Sequence, residues 1–156
     1  MKAHQTVDFH LKSGWLAISR MYNAKAAKHD MTMSIGYVLL NIDLEKGTPA
    51  TKIAPTLGLE PRSLTRMLKS LEEKGWINRS GSEHDKRFVN IHLTDKGRFQ
   101  REIARRTVIE FNQQVLQHIS IEKLTVFFEV IGDINRVVES LVVEERLTLE
   151  ENNAVG

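Results

Sequence analysis

Residues 51–97, TKIAPTLGLEPRSLTRMLKSLEEKGWINRSGSEHDKRFVNIHLTDKG, change periodicity part-way, from helical to alternating. Thr51 can cap a short helix through Leu57, which Gly58 closes in the left-handed conformation that a residue without a Cβ adopts freely. Pro55 falls within or just past the first turn of that helix, where a missing amide costs less than in the interior. Pro61 suits the first position of a second helix that runs to about Lys74 before Gly75 ends it. Two short helices meeting at Gly58-Leu59-Glu60 have the punctuation of a tight helix-turn-helix. After Gly75, Trp76–Ser80 and Phe88–Leu93 read as paired strands, with Val89, Ile91 and Leu93 on one face and the polar loop 81–86 between them. Thr94 then supplies a cap, and Asp95 a first-turn acid, for a long helix to about Ile119.

Helical periods flank this segment on both sides. Val7, Leu11, Trp15, Ile18 and Tyr22 form one apolar stripe, which predicts a long first helix from about Thr6 to Lys28. A second helix is predicted from Ser34 to Glu45, capped by its Ser and stopped by the breaker cluster Gly47-Thr48-Pro49. Leu124, Phe127, Phe128, Ile131, Ile134, Val138 and Leu141 mark a last helix, and the polar tail beyond about Glu145 is expected to fray. The fold class is therefore mainly α with one small β-hairpin.

Composition sets the bounds. The chain has 156 residues and a formal charge of only +2, but residues 51–106 carry 13 basic and 7 acidic side chains, against 3 and 9 in residues 107–156. The middle third is thus the segment suited to an anionic partner. Zero cysteines exclude disulfides, thiolate zinc sites and sensing by cysteine oxidation, and make a reducing cytoplasm the natural setting. No apolar run approaches the roughly 20 residues that span a bilayer, and Met1–His10 lacks the apolar core of a signal peptide, so no membrane partner is expected. Asn78-Arg79-Ser80 matches a glycosylation acceptor formally but falls inside a strand. His4, His10, His29, His84, His92 and His118 are scattered, with no two at helical ligand spacing, so neither metal nor cofactor is expected. Gly-x-Gly, His-Glu-x-x-His and Gly-x-Ser-x-Gly are all missing, and enzyme readings fare badly.

On the helix that begins at Pro61, Arg62, Thr65, Arg66 and Lys69 share a sector roughly 100° wide, with Ser63 at its edge. Leu64, Met67, Leu68 and Leu71 lie opposite. One face is anchored in a core while the other offers guanidinium, hydroxyl and ammonium groups. That set suits the major groove of double-stranded DNA: Arg can donate two bonds to guanine O6 and N7, while Lys, Ser and Thr contact phosphates or base edges. A solvated basic face is the bland alternative for an isolated helix, and the tight turn before it and the charged hairpin after it weigh against that. The hairpin tip, with Asp85, Lys86 and Arg87, is a second candidate contact. An Arg on a narrow ribbon can enter the minor groove, and Asp85 can hold it by a charge-assisted hydrogen bond.

Leu64-Thr65-Arg66, Leu71-Glu72, Gly75, Ile77 and Arg79, followed by Asp85-Lys86-Arg87 and Leu93-Thr94-Asp95-Lys96-Gly97, resemble the signature of the MarR family of bacterial transcription regulators. The motifs cover residues 51–97, and the helix order extends the resemblance over nearly the whole chain. The resemblance implies a winged helix-turn-helix homodimer whose fourth helix enters the major groove while Arg87 reaches the adjacent minor groove. Asp85 would brace that wing, with Arg66 near it. The sequence departs from the family pattern at Ile53-Ala54, at Pro55 and at Trp76, where a smaller apolar residue is usual. None of these removes a proposed DNA contact.

The predicted helices outside the lobe are too long and too apolar for a small monomer to cover, which points to a homodimer. Residues 34–97 are read as the DNA-binding lobe, and residues 1–33 and 98–156 as a helical dimerisation arm. The family resemblance further implies a repressor released from DNA by a small aromatic or anionic effector bound between lobe and arm. His10, Trp15, Arg20 and Tyr37 are candidate wall residues for that ligand. The alternative is a winged-helix interaction module that uses the same basic face to bind an acidic protein partner.

Overall fold

The computed structural model describes the backbone of residues 2–82 and 85–154, and their side chains except those of residues 3, 82, 85–88 and 151–154. The elements are α1 (Val7–Ala26), α2 (Met33–Leu40), β1 (Thr48–Pro49), α3 (Ala50–Leu57), α4 (Pro61–Glu73), β2 (Ile77–Ser82), β3 (Asp85–Leu93), α5 (Asp95–His118) and α6 (Ile121–Ala154), with short 3-10 turns at Ala3–Gln5 and Ala27–His29. They form two compact units, Met1–Glu110 and Phe111–Gly156, divided within α5.

In the first unit, α2 is shorter than its period suggested. Thr32, not Ser34, caps it, its hydroxyl accepting from the Ile35 amide at 3.2 Å. It stops at Leu40 because local side chains take over the backbone groups. The Asp43 carboxylate accepts from the amides of Glu45 (2.9 Å) and Lys46 (2.7 Å), and Thr48 Oγ1 accepts from the Asp43 amide and donates to the Asn41 carbonyl. The amides of Lys46 and Glu45 hold the Asp43 carboxyl below its ordinary pKa.

The cluster Gly47-Thr48-Pro49, read as a breaker, is also the start of a sheet: Thr48 pairs with Ile91 and Pro49 with Asn90. The hairpin is therefore part of a three-stranded antiparallel sheet of order β1-β3-β2. Pro49 is tolerated there because β1 is an edge strand that can do without one amide. The hairpin strands are also longer than expected. Pairing runs on to Ser82 opposite Asp85, past an irregularity at Gly81/Ser82, through the segment read as a polar loop.

The core of this unit gathers Leu64, Leu68 and Leu71 of α4 with Val38, Leu39, Ile42, Ile53, Trp76, Ile77 and Ile91, all at most 7% exposed. Burial of each such aliphatic side chain contributes about 1.5–3 kcal/mol. Ile91 and Leu93 are buried and Val89 packs against the core, as the alternation predicted. Of the α1 stripe only Tyr22 is buried, whereas Val7, Leu11 and Trp15 are exposed.

The junction of α4, sheet and α5 is tightly built. Thr94 Oγ1 donates to the Gly75 carbonyl (2.7 Å) and accepts from the Gly97 amide (3.1 Å), while the Thr94 amide donates to the Trp76 carbonyl (3.1 Å). A Cβ at position 97 would overlap that Trp76 carbonyl. Gly97→Ala should therefore cost about 1–3 kcal/mol, read as a lower urea midpoint with an unchanged slope.

In the second unit α6 runs through to Ala154, so the tail read as fraying is helical. Leu141–Asn153 contains neither Gly nor Pro, and nothing in it breaks the helix. Phe127, Phe128, Val137, Val138, Leu141 and Leu147 of α6 are each more than half exposed in the single chain.

Candidate nucleic-acid interface

The turn before α4 is set by Gly58, at φ 60°, and closed by the Leu59 amide donating to the Ala54 carbonyl at 2.9 Å. Pro61 then opens α4. With Leu64, Leu68 and Leu71 fixed in the core, the helical period forces Arg62, Ser63, Thr65, Arg66 and Lys69 outward, and all five are exposed. Arg62 and Arg66, one turn apart, make no hydrogen bond or ion pair with any described residue. Lys69 lies 3.9 Å from Glu73, an exposed pair of little energetic weight. Thr65 Oγ1 donates to the Pro61 carbonyl at 2.9 Å, leaving the hydroxyl to act outward as an acceptor.

The cations also sit against the helix's own electrostatics. Arg62 and Arg66 occupy the N-terminal half of α4, whose first turn carries no acid, while Glu72 and Glu73 lie at its end. That order is unfavourable with respect to the helix dipole, by about 0.3–1 kcal/mol per charge near a terminus. A bound phosphate would reverse the sign of this effect, since it is attracted both by the guanidinium groups and by the helix N-terminus.

The wing is fastened to this helix by Arg79 of β2, whose Nε lies 3.0 Å from Glu72 Oε2. Both residues belong to the motifs of residues 51–97, but no local pattern pairs them. Their opposite charges were visible, whereas the face that β2 turns to α4 was not. Asn90 Nδ2 donates to the Lys46 carbonyl at 3.2 Å, and His92 Nε2 lies 3.0 Å from Ser80 Oγ, which steadies β3. Asp85, Lys86 and Arg87 belong to β3 by backbone. Their side chains, and with them the expected Asp85 brace to Arg66 or Arg87, lie outside the described residues, as do Glu83 and His84.

Tyr37 of α2 lines two cavities among the described residues. One of about 30 Å³ is walled by Tyr22, Tyr37, Met33, Leu40, Ile103 and Thr107 among others. The second, about 270 Å³, lies among Trp15, Met33, Ser34, Tyr37, Thr56, Leu57 and Leu59. Trp15 and Tyr37 are thus brought together, their rings stacked with centroids 6.4 Å apart. Burial raises the Tyr22 and Tyr37 phenols above their ordinary pKa, so both remain neutral at physiological pH. His10 and Arg20 line neither cavity: His10 Nε2 lies 2.9 Å from the His4 carbonyl, and Arg20 Nε donates to the Leu16 carbonyl at 3.3 Å. Among the described residues, no three His, Asp or Glu side chains converge as a metal site.

Residues 31–89, from the approach to α2 through most of the wing, match the sequence profile of the MarR family. This segment of the chain is similar to the MarR family. The matched MarR segment contains every residue of the α4 face and the wing tip. The chain is 39% identical over 82 residues to the HTH-type transcriptional regulator TtmR of Methylorubrum extorquens, an alignment covering 53% of this chain and 42% of that one. Among solved structures it is similar to Streptococcus pneumoniae FabT in complex with DNA (TM-score 0.74, 22% identity, 88% of this chain and 99% of that one). It is also similar to CouR from Rhodococcus jostii RHA1 bound to p-coumaroyl-CoA (TM-score 0.72, 20% identity, 86% and 94%). These likenesses establish the winged-helix fold. The chain spans about half the length of the first curated relatives it matches.

Proposed function

We propose that this chain is a MarR-family regulator, a sequence-specific DNA-binding transcription factor that acts in the cytoplasm. The observation that carries this reading is the α4 face, on which two guanidinium groups, with no partner among the described residues, are presented outward by a helix whose other side is locked in the core. In this reading Arg62, Ser63, Thr65, Arg66 and Lys69 enter the major groove and Arg87, steadied by Asp85 and flanked by Lys86, enters the minor groove. The solved complex of FabT with DNA supports the docking of such a fold on a duplex.

Residues 34–97 form the reading lobe, and residues 1–33 and 98–156 the arm that joins two copies. The exposed apolar side chains of α1 and of α6 support a homodimer, because a second copy would remove them from water. Two lobes related by a two-fold axis would read half-sites about 34 Å apart, and therefore a pseudo-palindromic operator. Repression relieved by a small aromatic or anionic ligand completes the proposal. The cavity beside Trp15 and Tyr37 is of single-ring size, and CouR, solved with p-coumaroyl-CoA, gives a related fold with a bound aromatic acyl group.

The test is a titration of labelled duplex at several salt concentrations. Log affinity should fall linearly with log salt, by about 0.9 for each phosphate neutralised. Absence of duplex binding at low salt would overturn the reading in favour of an acidic protein partner.

A further inference from the structure

Asp30 and Lys74 stand at two joints of the lobe. Asp30 ends the 3-10 turn after α1 and is the one non-glycine among the described residues at positive φ, 56°. The next two residues hold α2: Met31 is buried, and Thr32 is its cap. Lys74 directly follows α4, and after it Gly75 turns at φ 70° and the Trp76 amide donates to the Leu71 carbonyl, which launches β2. The left-handed turn brings two acceptors of Asp30 to one ammonium: Lys74 Nζ lies 2.9 Å from its carbonyl oxygen and 2.5 Å from Oδ2. The same ammonium sits 4.8 Å from the centre of the Trp76 ring. Trp76 is one of the positions at which the chain departs from the MarR family pattern it resembles.

An ion pair whose acid side chain is 85% exposed contributes little by itself. Lys74, however, is only 28% exposed, and its three partners act together: a main-chain carbonyl, a carboxylate and an indole face. Core packing holds α4 in place without strong directional preference, whereas hydrogen bonds of this kind fix an angle. We propose that Lys74 is a positioning residue for DNA recognition: clasped by Asp30 and Trp76, it sets the orientation of α4 relative to the α1–α2 joint. It is then not one more phosphate contact, although its charge and its place beside α4 invite that assignment. The proposal rests on the DNA-reading role of α4.

The test uses the full chain and two probes, a duplex enriched from a randomised pool and a scrambled duplex of equal length. Lys74→Met keeps the apolar stem and removes the ammonium. Asp30→Gly keeps the left-handed turn and removes the carboxylate. Each should weaken the enriched duplex about fivefold while leaving the scrambled one unchanged, and the double variant should be no worse than either single one. Lys74→Arg should restore binding, and in a Trp15→Phe background Lys74→Met should shift the Trp76 emission. If Lys74→Met instead weakens both duplexes alike and lowers the salt slope by about one, while Asp30→Gly costs nothing, Lys74 contacts phosphate and the clasp is wrong. Variants that bind both duplexes as the parent does overturn the clasp alone. A parent chain that enriches no duplex overturns the DNA reading as well.

Discussion

Leu68→Asp is expected to leave the lobe unfolded, while Lys69→Ala, one residue along, should melt as the parent does. Leu68 is 3% exposed and is surrounded by Leu64, Leu71 and the rest of an apolar cluster that contains no buried polar or charged residue. A carboxylate placed there has no hydrogen-bond donor to replace water. It must either stay charged in a low-dielectric site or take up a proton and remain unsatisfied, at a cost of several kcal/mol against a total stability of about 5–15 kcal/mol. Circular dichroism should show a cooperative melt for Lys69→Ala and none for Leu68→Asp. Two cooperative melts within a few degrees of each other would mean that α4 is not seated as described.

The second large effect falls on binding. Arg66→Ala should fold normally, yet lose about 1–3 kcal/mol of affinity for a selected duplex and relax preference at the base pair it reads. Lys69→Ala should weaken all duplexes alike and lower the salt slope by about one, the behaviour of a phosphate contact. Competition titrations with the selected and scrambled duplexes separate the two. Folding residues and reading residues would then lie on opposite sides of one helix, three or four positions apart.

Much of this helix was legible beforehand because its signals are local. Pro61 at its first position, Gly58 and Gly75 in left-handed turns at its two ends, and the Leu64-Leu68-Leu71 stripe are statements about single residues and a 3.6-residue period. The Thr94 cap of α5 was legible for the same reason. What escaped depends on partners distant in sequence or on competing hydrogen bonds. The two-residue strand Thr48–Pro49 has no period to read and exists because β3 lies beside it. The end of α2 depends on Asp43 and Thr48 capturing backbone groups that the helix would otherwise use. Gly81 and Ser82 looked like loop, yet backbone pairing with β3 carries them into a strand. Trp15 and Tyr37 meet on one cavity while His10 and Arg20 do not, since the stripe of α1 does not reveal which of its residues face α2. The Lys74–Asp30 contact, 44 residues apart in sequence, left no pattern at all.

Methylation interference on a duplex selected by this chain tests the major-groove reading most directly, because a methyl group on guanine N7 occupies the edge that an Arg of α4 would grip. Bound duplex should be depleted of methylated guanines in two clusters about one helical turn apart. Bound and free fractions with the same methylation pattern would contradict the insertion of α4 into the major groove.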